Sequence, residues 1–245
     1  MPIYKGRRGA VSYGHDIGVL MIDCFNPFIP GDVGNACTYD YPVLYHEVPD
    51  VTIKRLLDEG DLSLTPNVIE AARHLERQGV RAITSDCGYM LHFQDVVADA
   101  VKIPVMLSSL LQLPFIASTL GRQQSIGIIC ANSVRLSEDM LEKAFPYRNR
   151  QLFVAGMEGK AGFRGGILEE NGIIDSEAVE QELVEVGRDL LRDNPAIGAI
   201  LLECSNLPPY AQALQRAVGL PVFDFITMID QMRGACFRRS FSGSY

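Results

Sequence analysis

The 245-residue chain contains no tryptophan, only four histidines and no Cys-x-x-Cys motif. The histidines, at positions 15, 46, 74 and 92, show no metal-ligand spacing with one another or with the six cysteines. Because structural and catalytic metal sites need closely spaced ligands of this kind, the sequence predicts no metal site. We also expect no other cofactor.

Long uncharged apolar runs are also missing from the sequence. Residues 1–8 have no apolar core of signal-peptide length, and no later run is long enough to cross a bilayer. The net charge of −8 argues against binding to nucleic acid, and we expect no membrane partner. The six cysteines are typical of reduced thiols in a cytoplasmic protein. Self-association is compatible with the sequence, which reveals no interface.

The common phosphate and hydrolase motifs are absent as well. The glycine-rich segment Gly159–Gly166 is not Gly-x-Gly-x-x-Gly, and Lys160 is followed by alanine rather than by Ser or Thr. No Gly-x-Ser-x-Gly occurs, so a serine nucleophile has no support. We interpret residues 156–172 as a surface loop.

The chain does contain a repeated segment. Residues 81–88, with the sequence RAITSDCG, resemble residues 198–205, with the sequence GAILLECS. Each is an apolar run that ends in an acidic residue, a cysteine and a small residue, and Cys87 and Cys204 lie 117 positions apart. The same spacing separates Pro104 from Pro221. The sequence therefore indicates two similar halves.

Apolar strand-like runs alternate with amphipathic helical patterns in both halves, which is typical of parallel α/β sheets. We predict a first domain over residues 1–117, completed by a C-terminal helix at 226–245, and a second domain over residues 118–225. Ligands of such sheets bind beyond the carboxyl ends of the strands. Asp23, Cys87, Asn132 and Cys204 are all expected at such ends. The irregular stretch from residue 26 to about 50 is interpreted as a flap over the site.

Cys87 and Cys204 are the candidate catalytic residues, whereas the other cysteines are interpreted as small buried hydrophobes. A thiol among the backbone N–H groups of a helix N-terminus has a lowered pKa, which we expect for both. The preceding acids, Asp86 and Glu203, are expected to point away from the thiols, because side chains alternate along a strand.

Two thiols that face each other across a cleft can invert a carbon next to a carboxyl or carbonyl group. One removes a proton from one face and the other returns a proton to the opposite face. The developing enolate-like charge needs N–H groups and short polar side chains. Suitable residues at the predicted strand ends are Gly88, Asn132, Ser133, Ser205 and Asn206.

Through residues 83–89, ITSDCGY, residues 201–206, LLECSN, and the spacing between them, the chain resembles the aspartate/glutamate/hydantoin racemase superfamily. The resemblance covers about residues 17–225. It implies two flavodoxin-like domains, related by a pseudo-two-fold duplication, with the active site at their interface. It also implies that Cys87 and Cys204 are acid/base thiols and that Asp23, Asn132 and Ser133 hold a substrate carboxylate. Gly88-Tyr89 and Ser205-Asn206 replace the Asn-Thr and Thr-His of glutamate racemases and would contact the substrate.

The leading prediction is a cofactor-independent racemase or epimerase that acts on a small anionic or amide substrate, such as an amino acid, a dicarboxylate or a hydantoin-like cyclic amide. Three alternatives remain open: a single-cysteine isomerase or decarboxylase of the same superfamily, a non-catalytic metabolite-binding protein, and a dithiol redox protein. The last requires the two sulfur atoms to approach bonding distance.

Overall fold

A computed structural model of the chain describes residues 3–146 and 149–244 and contains two four-stranded parallel sheets. The first sheet has the order β2-β1-β3-β4, with β1 at Ile17–Asp23, β2 at Val43–Thr52, β3 at Ala82–Ser85 and β4 at Val105–Met106. The second has the order β6-β5-β7-β8, with β5 at Ser125–Cys130, β6 at Leu152–Gly156, β7 at Ile197–Leu202 and β8 at Val222–Phe223. Since the orders are equivalent, the predicted fold class of two similar α/β domains is confirmed.

Helices connect most of the parallel strands, whereas β1 and β2 are joined by residues 24–42, which contain only a short 3-10 turn. The helices are α1 Thr65–Gln78, α2 Gln94–Ala100, α3 Leu113–Thr119, α4 Glu138–Ala144, α5 Ala161–Phe163, α6 Ser176–Asp193, α7 Ala211–Val218 and α8 Phe225–Cys236. Local sequence explains several of their ends. Pro66 stands in the first turn of α1, and Gly79 ends it with a φ of 95°. Asp224 and Thr227 form a reciprocal cap at the start of α8.

Helix α8 follows the second sheet in sequence but packs on the first. Its buried side chains Phe225, Met228 and Ile229 lie in one cluster with Ile17 and Ala82. The helix ends at Cys236 rather than at 245, so the predicted range of 226–245 is too long. The physical reason is that residues 238–244 are exposed and have no apolar face to bury. Residue 245 lies outside the described residues.

Two elements differ from the sequence-based prediction. Strand β2 occupies part of the segment predicted to be irregular, and its Pro49 is tolerated because β2 lies at the edge of the sheet. The predicted surface loop at 156–172 instead contains α5 and a π-helical turn, Arg164–Leu168. The Glu182 carboxylate of α6 accepts hydrogen bonds from the N–H groups of Gly162, at 2.7 Å, and Phe163, at 2.9 Å. A tertiary contact thus caps a helix that its glycines disfavour.

A second π-helical turn, Lys54–Asp58, lies 110 positions before the first, so the pair belongs to the duplication. Each turn closes with a backbone hydrogen bond across five residues, from Glu59 N–H to Lys54 O and from Glu169 N–H to Arg164 O. The same residues form salt bridges, at 3.8 Å and 3.3 Å. The two halves therefore share a feature that their dissimilar local sequences conceal.

Candidate active site

A cavity lies between the two sheets, at the carboxyl ends of β1, β3, β5 and β7. Six residues predicted for the site line it: Cys87, Gly88, Tyr89, Cys204, Ser205 and Asn206. Much of the remaining wall is apolar and consists of Ile22, Ile53, Leu57, Ala131, Ile167 and Leu168. The two π-helical turns therefore contribute to the walls from opposite domains.

Three predicted substrate-binding residues are absent from this lining. Asp23 is exposed at the end of β1. The Asn132 side chain caps the N–H of Val134 at 3.1 Å, and Ser133 donates from both its N–H and its hydroxyl to Glu158. Local hydrogen bonds thus turn the two polar side chains after β5 toward their own domain, and the predicted role of all three residues in substrate binding stays a prediction.

The contacts between the two halves are reciprocal. A Cβ added to Gly88 would lie 1.9 Å from Glu203 Oε1, and the Ser205 hydroxyl donates to the carbonyl of Asp86. Position 88 corresponds to 205 and position 86 to 203 at the spacing of 117, so one contact is the counterpart of the other. The approximate two-fold axis thus passes between the two cysteine-bearing turns.

The acids that precede the cysteines face the cavity, contrary to expectation. Strands β3 and β7 end at Ser85 and Leu202, so the alternation of a strand no longer sets the direction of Asp86 and Glu203. Asp86 Oδ1 accepts from the N–H of Ile22 at 3.0 Å, while its Oδ2 is buried without a partner.

Glu203 is fully buried, and neither of its carboxylate oxygens has a hydrogen-bond partner. Burial raises its pKa to about 7. The nearby Ala131 N–H favours the charged carboxylate and so opposes this rise in pKa. Its geometry toward the Glu203 carboxylate is not that of a hydrogen bond. For Asp86, too, burial raises the pKa well above the usual value.

Both candidate thiols have a pKa well above the usual value, chiefly because of burial and secondarily because of the Glu203 carboxylate. The N–H groups of Tyr89 and Asn206 oppose this effect, one in each half. The predicted lowering of the thiol pKa is therefore wrong. Desolvation and neighbouring acids outweigh the short turns that follow the cysteines, so both sulfurs are protonated at neutral pH.

A hydrogen-bonded chain links Cys204 to the segment over the cavity. The Cys204 thiol donates to Asn206 Oδ1 at 3.6 Å, and Asn206 Nδ2 donates to Asp32 Oδ2 at 2.7 Å. Asp32 is buried, which raises its pKa to about 7, although the hydrogen bonds that it accepts from Gly34 N–H and Asn206 Nδ2 oppose this rise. Asn26 and Phe28, from the segment interpreted as a flap, line the cavity, while the role of that segment as a flap stays a prediction.

Sequence reasoning did not identify several residues of this site, among them Cys24, Asn26, Phe28 and Asp32. No motif marks them, because they come from an irregular segment that folds over the opposite domain. Among the residues that line the described cavity there is no Lys, Arg or His. Across the described parts of the chain, no three His, Cys, Asp or Glu side chains are grouped to hold a metal ion. The described helices include none with the length and hydropathy to cross a bilayer.

Two facing parallel sheets of the same strand order define the two-domain racemase fold. Solved structures share it: the Gly74Cys mutant of arylmalonate decarboxylase has a TM-score of 0.61 and 17% identity, covering 89% of this chain and 93% of that one. Allantoin racemase from Pseudomonas fluorescens has a TM-score of 0.61 and 14% identity over 89% of each chain. The model of the Asp/Glu/Hydantoin racemase family matches residues 40–231. The chain belongs to this family.

Curated relatives of the chain carry lyase names. A dimethylsulfoniopropionate lyase of Durusdinium sp. clade D is 33% identical over 87% of this chain and 72% of its own length. Dimethylsulfoniopropionate lyase 3 of Emiliania huxleyi is 31% identical over 88% of this chain, which spans only 58% of that relative. The chain therefore belongs to a family of enzymes and is similar in sequence to proteins named as lyases.

Proposed function

We propose that the protein is a cofactor-independent lyase that cleaves dimethylsulfoniopropionate or a closely related sulfonium carboxylate. The observation that carries the proposal is a cavity walled by apolar side chains that contains the two matched cysteines, in a chain 33% identical to a lyase named for this substrate. The substrate joins a carboxylate to a sulfonium through two methylene carbons. It thus has an acidic C–H next to a carboxyl group, which is the type of bond that a thiolate base attacks.

The proposed reaction is a β-elimination. A thiolate removes a proton from the carbon next to the carboxylate, and that C–H electron pair forms the new carbon–carbon double bond. The bond from the neighbouring carbon to sulfur breaks, and its electrons remain on sulfur. The products are acrylate, neutral dimethyl sulfide and a protonated thiol, which then releases its proton.

Substrate binding itself would prepare the base. In the free site, burial and the charge of Glu203 keep Cys87 and Cys204 protonated, as their raised pKa values indicate. A sulfonium placed beside these acids offsets their charge, so a thiolate becomes more stable in the complex than in the free enzyme. The substrate carboxylate would be held by dipoles, namely the N–H groups of the turns after Cys87 and Cys204 and the side-chain amide of Asn26.

The racemase or epimerase hypothesis remains the second candidate. A specific observation favours it: the cysteines lie in reciprocal turns, as two-base inversion requires. An elimination needs a single base, so unequal contributions of the two thiols would favour the lyase. A metabolite-binding role predicts no turnover of any substrate. Either enzyme needs reduced thiols, and we propose that it works in a reducing compartment such as the cytoplasm.

The deciding experiment supplies dimethylsulfoniopropionate to the purified protein and measures dimethyl sulfide in the headspace and acrylate by proton NMR. We expect equal amounts of both products. At least one of the Cys87→Ser and Cys204→Ser variants should lose about 10²–10⁴-fold in rate, the contribution of a positioned base. Cys236→Ser is the matched control, because Cys236 bonds to the Arg81 carbonyl away from the cavity.

A parallel incubation in D₂O uses amino acids, hydantoins and dicarboxylates. Exchange and inversion of one of these, with no dimethyl sulfide from the sulfonium substrate, would reject the lyase in favour of the racemase. Absence of turnover in both series would favour the binding protein.

A further inference from the structure

We infer that Glu203 and Asp86 form a subsite for a compact onium cation, a sulfonium or quaternary ammonium group, inside the cavity. The inference deepens the proposed function and relies on it for the choice of sulfonium. It assigns substrate specificity to two residues that precede the cysteines and that the thiol chemistry does not require.

The first argument is the number of unsatisfied oxygens. Both oxygens of Glu203 and one of Asp86 are buried without a partner, and both residues line the same cavity. Buried carboxylates are normally hydrogen-bonded or ion-paired, because an unpaired one is strongly disfavoured in a protein interior. Three such oxygens beside one space indicate that a ligand supplies the missing partner. A sulfonium donates no hydrogen bond, so the attraction would be that of opposite charges.

The second argument is that the packing directs Glu203 to this place. Its carboxylate lies over Gly88 of the other half, where any side chain would overlap Oε1 at 1.9 Å and Cδ at 2.6 Å. The absence of a Cβ at position 88 therefore provides the space for the acid between the cysteine-bearing turns. Glutamate racemases have a polar residue at the position of Gly88. The close approach of Glu203 explains why glycine occupies that position in this chain.

The third argument is the sign of the charge around the cavity. No cationic side chain occurs in its described lining, and Asp32 is a third buried acid near the thiols. A dicarboxylate would meet repulsion from these groups. A substrate with a cationic end offsets that repulsion.

The fourth argument is the apolar wall. Phe28, Tyr89, Leu57 and Ile167 line the cavity with the acids. Methylated onium groups are weakly hydrated and pack well on aromatic and aliphatic surfaces, whereas a small hydrated cation would lose its water there. The combination of acids and apolar walls therefore selects a methylated cation over an inorganic one.

The test uses two matched pairs of ligands. Dimethylsulfoniopropionate is compared with 4-methylpentanoate, and 3-(trimethylammonio)propanoate with 4,4-dimethylpentanoate; within each pair, the shape is the same and only the cationic charge differs. Binding is measured as competitive inhibition or by calorimetry. We expect the cationic member of the ammonium pair to bind at least about tenfold more tightly to the wild-type protein.

Variants assign the effect to the two acids. Glu203→Gln and Asp86→Asn should each reduce the preference for the cation by about tenfold, while the affinity for the neutral isostere stays within about twofold. Glu158→Gln is the charge-matched control, because Glu158 bonds to Ser133 outside the cavity and should leave the preference unchanged.

Equal wild-type affinities for the two members of a pair would overturn the inference, even if neither variant folds. A variant that weakens both members equally would overturn the role of that residue. The outcome is separable from the proposed function: release of dimethyl sulfide without onium selectivity rejects only the subsite, and onium selectivity without release rejects only the lyase.

Discussion

Gly88 and Glu203 occupy the same space from opposite domains, with the Glu203 carboxylate where a Gly88 side chain would be. The backbone carbonyl of Glu203 lies as near as 2.7 Å to that position. A side chain at residue 88 could therefore not be accommodated by rotating Glu203 alone. The close approach of the two domains depends on this one glycine.

Replacing Gly88 by alanine should separate the two turns. We expect Gly88→Ala to lower the free energy of unfolding by about 1–3 kcal/mol, as overpacking does, and to abolish most activity. Urea denaturation measures the first effect. The control is Gly234→Ala in α8, where an added Cβ meets nothing within 4 Å and should raise stability slightly. An unchanged urea midpoint for Gly88→Ala would contradict the prediction.

Glu203 should make the protein less stable as the pH rises. Its pKa is about 7 in the folded state against an ordinary value of 4.5, so between these pH values the folded protein binds the extra proton. Stability therefore falls from pH 4.5 to 7, by about 3 kcal/mol for a pKa difference of this size, and stays reduced above pH 7. Glu203→Gln removes this penalty.

We therefore expect Glu203→Gln to be more stable than the wild type at pH 8, with the difference shrinking toward pH 5. Urea titrations at the two pH values measure it. Asp32 also has a pKa raised to about 7 by burial, but it is present in both proteins and cancels in the comparison. A stability difference that is the same at both pH values would refute the assignment.

Binding of 3-(trimethylammonio)propanoate should strengthen as the pH rises through about 7, because Glu203 then becomes charged. The other titratable groups around the cavity are Asp32, Asp86, Cys24, Cys87, Cys130, Cys204 and Tyr89. Among these, Asp32 also has a pKa of about 7 and contributes to the rise. Affinity measured between pH 5.5 and 8.5 should show a smaller increase in Glu203→Gln than in Glu158→Gln. Equal increases would exclude Glu203 as the titrating group.

Asp32 and Asn206 should be energetically coupled, since the Asn206 amide donates to the Asp32 carboxylate at 2.7 Å across 174 positions of sequence. Removing either partner leaves the other buried and unsatisfied, at about 1–3 kcal/mol each. The double variant Asp32→Ala/Asn206→Ala should therefore lose less stability than the two single variants together. Additive losses in a urea double-mutant cycle would show that the bond contributes nothing specific.

Sequence reasoning predicted those parts of the molecule that depend on local patterns or on the repeat. The duplicated strands and the cysteine-bearing turns belong to this group. Their apolar runs, and the recurrence of the Cys87 segment at Cys204, can be recognised in the sequence itself. The family assignment followed from the same residues.

The remainder depends on contacts between residues far apart in sequence. Asp32 reaches Asn206 through an irregular segment, and Glu182 stabilises a helix in a glycine-rich stretch that reads as a loop. The thiol pKa values went in the opposite direction from the prediction because burial and facing acids are tertiary properties. Such effects leave no periodic signal in the sequence.

The return of α8 to the first sheet has a consequence for biosynthesis. Ile17, Val19 and Ala82 are covered by Phe225, Met228 and Ile229, which the ribosome adds only after the whole second sheet. During translation the first sheet therefore exposes an apolar face until the ribosome has synthesised the second domain and α8. The nascent chain should be most dependent on chaperones in that interval, and its first-made half becomes complete last.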